Sequence, residues 1–209
     1  MSTTDKKFPR TEADSGSSWD AIGNADYDDS HYDKATDLKD ETSSFLILTN
    51  FGFTTSDVPV GSTITGIEVE IMRYVYRLSG LATVITDNTV QLINGAGTPV
   101  GDNKASGLSW PLDFASEALA SYGDPSDNWS ASLTASDIID SDFGFRLAVT
   151  ESGSKYGTPS IEYVKIRITY TVAGGGSIKK LSGVAWASVK KVLKVAEASL
   201  KKVAGVVAN

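Results

Sequence analysis

The chain has no cysteine, which excludes a disulfide framework and any thiolate metal site. It has one histidine, His31, so metal sites built on two histidines are excluded and any histidine-based triad would have to use that residue. His31 lies in "DDSHYDK", a polar stretch in which a solvated loop histidine is the expected reading. No uninterrupted apolar run is long enough to cross a bilayer, and "MSTTDKKFPRTEADSGSS" lacks the apolar core of a signal peptide. A product made in the cytosol and soluble is the expectation. The only glycine cluster, "AGGGS" at 173–177, lacks the Lys-Ser/Thr and the strand-to-helix setting of a phosphate loop.

What is present is unevenly distributed. Of 19 basic and 26 acidic residues, the last 32 positions hold seven lysines and one acid, Glu197, leaving 12 basic and 25 acidic residues in 1–177. The body therefore carries a net −13 and the tail +6, a split that points to different partners for the two parts. An acidic body is poorly suited to nucleic acid, whose phosphates require clustered Lys and Arg. At 209 residues, one domain with an appendage is the expected organisation.

Four regions follow. Residues 1–42 are a polar, Asp-rich arm that can contribute a first strand near "SSWDAI". Residues 43–172 carry the strand signals: the apolar run "SSFLILTNFGF", the alternating "STITGIEVEIMRYVYRL" with a bend or bulge at Gly66, then "NTVQLING", "FGFRLAVTES" and "SIEYVKIRITYTV". Gly, Asn, Asp, Ser and Pro clusters separate them, so an all-β, antiparallel β-sandwich of jelly-roll type is predicted. "DFASEALASY" and "TASDIIDS" each predict a helical turn, capped by Asp113 and Thr134. Residues 173–177 read as a Gly hinge and 178–209 as a cationic tail.

The tail repeats every eleven residues: IKKLSGVAWAS, VKKVLKVAEAS, LKKVAGVVAN. On a helix the lysine pairs fall on one side and Ile178, Leu181, Val184, Trp186, Val189, Val192, Val195, Leu200, Val203 and Val206 form an apolar stripe. Such a stripe predicts a docking or oligomerisation segment, as a dimer or trimer; an interfacial membrane helix is the alternative. A continuous helix would be about 48 Å long at about 1.5 Å per residue. Gly183 and Gly205 interrupt it, each costing about 1 kcal/mol relative to Ala.

Asp26, Asp28, Asp29 and Asp33 are dense, yet their spacing lacks the ordered loop and distal Glu of an EF-hand, so a solvated acidic turn is expected and no metal site. No carboxylate pair is set in an apolar context that would raise a pKa for glycosidase chemistry, and neither an enzyme nor a cofactor is predicted. Trp129 is expected to pack at one end of the sandwich. Trp110, in "LSWPLD", is expected to be exposed in a loop and, with Tyr122 nearby, to stack on a sugar.

"VPVGSTITGIEVEI" (58–71) resembles a signature of β-sandwich proteins of tailed-phage virions, in which Ile-Pro and a Gly precede "ATITGI" and an alternating strand. "DNWSASLTASDIIDSDFGFRLAV" (127–149) is similar to a second signature of that group, Asp-x-Trp-Gly leading through "LT..DI" to a Phe-Gly-Val strand. The "IKK..GVAWAS" repeat resembles C-terminal repeats of phage structural proteins. The chain departs from these patterns at Val58, Ser130 and Lys194, where Ile, Gly and Gly are usual. The resemblance implies a non-enzymatic virion component: a capsid decoration or head-fibre protein, partnered by the major capsid protein or a neighbouring tail protein and made in the host cytoplasm. A carbohydrate- or receptor-binding module of the phage tail is the alternative, and a membrane-interacting phage protein a weaker one.

Overall fold

Fourteen residues of alternating Ile, Val and polar side chains at Thr63–Tyr76 form β6, with Ile67, Val69 and Ile71 turned to the interior. Its partner over thirteen register pairs is β11, Thr158–Thr171, antiparallel and equally long, whose Val164, Ile166 and Ile168 face the same way. The bulge predicted at Gly66 is present: the register slips where Thr169 pairs with Gly66 and Tyr170 with Ile64. A Cβ at Gly66 would collide with the backbone of Asp124 and Pro125, so the close approach of that loop requires glycine.

In this computed structural model the described residues are 1–20, 22–35, 38–76, 83–153 and 156–172, with the backbone of 180–181 and 184–185. The second sheet is centred on β10, Gly144–Gly153, paired antiparallel with β7, Thr83–Ile93, and with β5, Leu46–Thr49. Its edges are β2, Thr11–Asp14, against β5, and β8, Pro99–Val100, against β7. Leu46, Leu48, Val90, Leu92, Phe145 and Leu147 oppose the first sheet's Ile and Val side chains, and this layer is the core. Fully burying each such side chain stabilises by about 1.5–3 kcal/mol. The architecture is the predicted antiparallel β-sandwich.

Residues 1–42 enter both sheets. Besides β2, they supply β1, Ser2–Thr3, β3, Trp19–Asp20, and β4, Asp33–Ala35; β1 and β4 pair with β11, and β3 with β4. The other edge of the first sheet is β9, Ala118–Tyr122, on β6. Of the two predicted helical turns, "TASDIIDS" forms α1, Ala135–Ile139, with a full capping box between Thr134 and Asp137. "DFASEALASY" gives only a 3-10 turn, Phe114–Ser116, before turning extended as β9; Asp113 precedes it without a side-chain cap bond.

Trp129 is fully buried, as expected, and has φ of 60°, followed by Ser130 at φ 54°. Both residues are in the left-handed region, which strains a side chain with a Cβ. The strained pair is held by Trp129 Nε1 donating to the Ile67 carbonyl at 2.8 Å and Ser130 Oγ donating to Asp102 at 2.7 Å.

The chain divides into two compact units, Met1–Val172 and Ala173–Asn209. In the second, β12, Lys180–Leu181, pairs antiparallel with β13, Val184–Ala185, matching Lys180 to Ala185 and Leu181 to Val184. Over these four residues the predicted helix is corrected to a ladder. The 173–177 hinge and the stripe residues Ile178, Trp186, Val189, Val192, Val195, Leu200, Val203 and Val206 lie outside the described residues.

Candidate functional site

Strand parity carries a charged residue into the sandwich. In β6 the interior set is Ile67, Val69, Ile71, Arg73 and Val75, so the Arg73 side chain, only 7% exposed, points between the sheets. Across from it Asp87, on β7 of the second sheet, is turned inward two positions after Ile85 and pairs with Arg73 Nη1. Each Asp87 oxygen accepts twice: Oδ1 from Arg73 and from Trp110 Nε1 at 2.8 Å, Oδ2 from the Tyr122 hydroxyl at 2.8 Å and from the Ser106 backbone N–H at 2.9 Å. Arg73 Nη1 also donates to the Tyr122 hydroxyl, and its guanidinium stacks 4.6 Å from the Trp110 ring centroid. A buried charge pair with every carboxylate lone-pair direction used is the arrangement that survives desolvation. Burial, opposed by Arg73 and reinforced by Asp87, pushes the Tyr122 phenol far above its ordinary range, so it stays neutral and donates.

Trp110 and Tyr122 are thus brought together, but not as a sugar platform. Trp110 is 1% exposed and Tyr122 6%, which corrects the expectation that their rings lie open to a ligand. Pro111 does mark a loop, yet that loop is tied to the sandwich by Trp110 N–H donating to the Ile85 carbonyl at 2.8 Å and Val75 N–H donating to Pro111 at 2.8 Å. The indole reaches inward because Asp87 offers it an acceptor.

Above this cluster, between the β9 edge and the 106–111 loop, is a cleft of about 290 Å³. Arg73 and Tyr122 form part of its wall, Ser106, Ser109 and Ser121 bring hydroxyls, and Ala118 and Ala120 keep it open. Leu108, 75% exposed, and Leu119, 46% exposed, flank it. Among the described residues Arg73 Nε and Nη2 make no hydrogen bond, and Arg73 is part of the cleft wall. The lining combines fixed donors, small hydroxyls and apolar flanks, which can hold a polar, hydroxylated ring but supplies no nucleophile–base pair.

The acids named in the sequence are dispersed. Asp29 accepts from His31 N–H at 3.0 Å beside an imidazole whose side chain is 70% exposed, Asp28 lies 3.8 Å from Lys165, and Asp33 is fully buried. Sequence reasoning missed the last of these. Asp33 Oδ1 accepts from Asn24 N–H and Glu12 Oε2 from Gly23 N–H, while Asp33 Oδ2 and Glu12 Oε1 are buried with no other partner. Burial, then the Glu12 carboxyl, holds the Asp33 carboxyl well above the ordinary aspartate range. One proton held between those two oxygens satisfies both. This pair belongs to the packing of β2 and β4 and does not line the cleft.

No protein-family model matches the chain and no curated protein sequence is similar to it. Among solved structures it is similar to the CBM22-1 xylan-binding domain of Xyn10C from Paenibacillus barcinonensis, at 11% identity and TM-score 0.42 over 82% of this chain and 97% of that one. The CBM22-1–CBM22-2 tandem of the same protein matches at 12% identity and TM-score 0.42, over 82% and 47% of the two chains. The family 11 carbohydrate-binding module of Lic26A-Cel5E from Clostridium thermocellum matches at 11% identity and TM-score 0.28, over 68% and 76%. What those proteins bind is a property of theirs.

Proposed function

We propose that the chain is a non-catalytic recognition module of a tailed-phage particle and that its sandwich binds carbohydrate in the cleft beside Arg73 and Tyr122. One observation carries this reading: the cleft places guanidinium N–H groups, fixed by the buried Asp87, next to three serine hydroxyls and two exposed leucines. Sugars present that complement, hydroxyl acceptors around a ring with apolar C–H faces. Because the donors are pre-oriented by the Asp87 cluster, little ordering is needed when a ligand arrives.

The test is a glycan array with the full chain, followed by calorimetry on the sugars retained. Ala120→Trp, which fills the cleft, is expected to weaken binding at least ten-fold while the far-UV spectrum and thermal midpoint stay near wild type. Undiminished binding by a folded Ala120→Trp variant would remove the cleft from consideration.

A capsid-decoration or head-fibre role is favoured by a separate observation, the opposite charge of body and tail. Under it, removing 178–209 leaves a folded sandwich that no longer associates with particles, through the major capsid protein or a neighbouring tail protein. Association that persists without the tail refutes the docking role.

A further inference from the structure

The cleft wall holds one charge, and that charge is only partly used. Among the described lining residues Arg73 is the single ionised side chain. Its Nη1 is engaged by Asp87 and the Tyr122 hydroxyl, and the Trp110 ring centroid lies 4.6 Å from the guanidinium carbon. One anchored nitrogen and a stacked ring together fix the guanidinium plane, and with it the direction of the edge formed by Nε and Nη2. These two nitrogens make no hydrogen bond among the described residues, yet neither is one of the buried polar atoms that lack a partner. Solvent therefore reaches them, although the side chain as a whole is 7% exposed, and the opening that Arg73 lines is the cleft.

That edge is shaped for a carboxylate. The two N–H groups run parallel and match both oxygens of one carboxylate, a bidentate pair roughly twice as strong as neutral hydrogen bonds. Asp87 does not take this edge: it meets Nη1, and its charge is shared with three further donors, Trp110 Nε1, the Tyr122 hydroxyl and Ser106 N–H. No acidic side chain is among the described residues that line the cleft. The acids beside it have partners of their own. Glu70, opposite Ser121 in register, is bridged by Lys6 Nζ at 2.6 Å, and Glu117, preceding Ala118, is hydrogen-bonded to Tyr32. A neutral hydroxyl can occupy the same edge, but in a site partly withdrawn from water a charged acceptor gains more.

Resting on the carbohydrate reading above, we propose that the ligand is an acidic oligosaccharide, whose sugar acid sets its carboxylate on the Nε–Nη2 edge of Arg73. The ring that carries the carboxylate lies against Leu108 and Leu119, and its hydroxyls meet Ser109 and Ser121. The net −13 of residues 1–177 repels such a ligand at long range, so selection comes from the cleft and not from general attraction.

The experiment is calorimetry on the full chain, at neutral pH, with oligomers of galacturonic, glucuronic and mannuronic acid and a sialylated oligosaccharide. Each is paired with its methyl ester, which keeps the ring and removes the charge. At least one acid is expected to bind about ten-fold or more tightly than its own ester. Ser109→Asp, which places a carboxylate in the cleft wall at an exposed position, should cut that advantage about five-fold or more. Ser109→Asn matches its size without the charge, so any loss it causes should fall equally on acid and ester. Equal affinity of acid and ester in every pair, an advantage that Ser109→Asp leaves intact, or one that Ser109→Asn cuts as deeply overturns the sugar-acid assignment. If Ala120→Trp still weakens whatever sugar binds, the cleft reading stands. Binding confined to neutral sugars likewise overturns the assignment alone, whereas binding to no sugar overturns both.

Discussion

Replacing Asp87 by alanine removes the acceptor on which four donors from the first sheet and the 106–111 loop converge. It leaves the Arg73 guanidinium as an uncompensated charge in a side chain 7% exposed, and three neutral donors, Trp110 Nε1, the Tyr122 hydroxyl and Ser106 N–H, without their partner. Breaking a buried ion pair from one side costs about 3–5 kcal/mol. Separate penalties of about 1–3 kcal/mol for each orphaned donor are not added to this, because water entering through the cleft can reach the same groups. The expected loss is therefore about 3–5 kcal/mol, or on the order of 10 °C in Tm for a domain of this size. Urea unfolding followed by tryptophan fluorescence measures it, with a lower midpoint and an unchanged m-value. The Arg73→Met/Asp87→Leu double variant supplies the sharper comparison, since replacing both charges with apolar groups of similar volume is often neutral. A loss below about 1 kcal/mol in Asp87→Ala, or a double variant no more stable than the single one, would refute the account of this cluster as a mutually dependent charge pair.

The Glu12–Asp33 pair predicts an unusual pH dependence. A carboxyl whose folded pKa is raised binds a proton in the native state that the unfolded chain releases, so its contribution is complete below the ordinary aspartate pKa of about 3.9 and is lost as pH rises. Wild type should therefore lose stability relative to Asp33→Asn from mildly acid to alkaline pH, at up to about 1.4 kcal/mol per unit. A constant difference between the two across denaturation curves from pH 4 to 9 would show that no proton is shared. Gly123 has φ of 71°, and a Cβ there would meet the Ile67 carbonyl and the Trp129 indole, which share a hydrogen bond. Gly123→Ala should cost more than the 1–2 kcal/mol, roughly, of left-handed strain alone; a thermal midpoint equal to wild type would contradict that packing.

Much of the sandwich is written in local alternation, and the strands that carry it were legible for that reason. β6, β10 and β11 repeat apolar residues at every second position between their register shifts, and Gly66 marked one of those shifts. The arm was less legible because β1, β3 and β4 are two or three residues long and draw their order from the edge of β11, which no local window contains. The candidate site failed for a related reason. Trp110 sits beside proline in a true loop, and nothing within ten residues says that its indole will be drawn inward by an aspartate 23 positions earlier.

Arg73 did carry a signal, since it occupies the interior phase between Ile71 and Val75 in the most regular strand of the chain. A charge in that phase must meet an opposite charge from the facing sheet or destroy the layer. Asp87 occupies the matching phase of β7, after Ile85. Read this way, a charged residue that keeps apolar phase marks where the sandwich is polar inside, and here that place opens to the cleft.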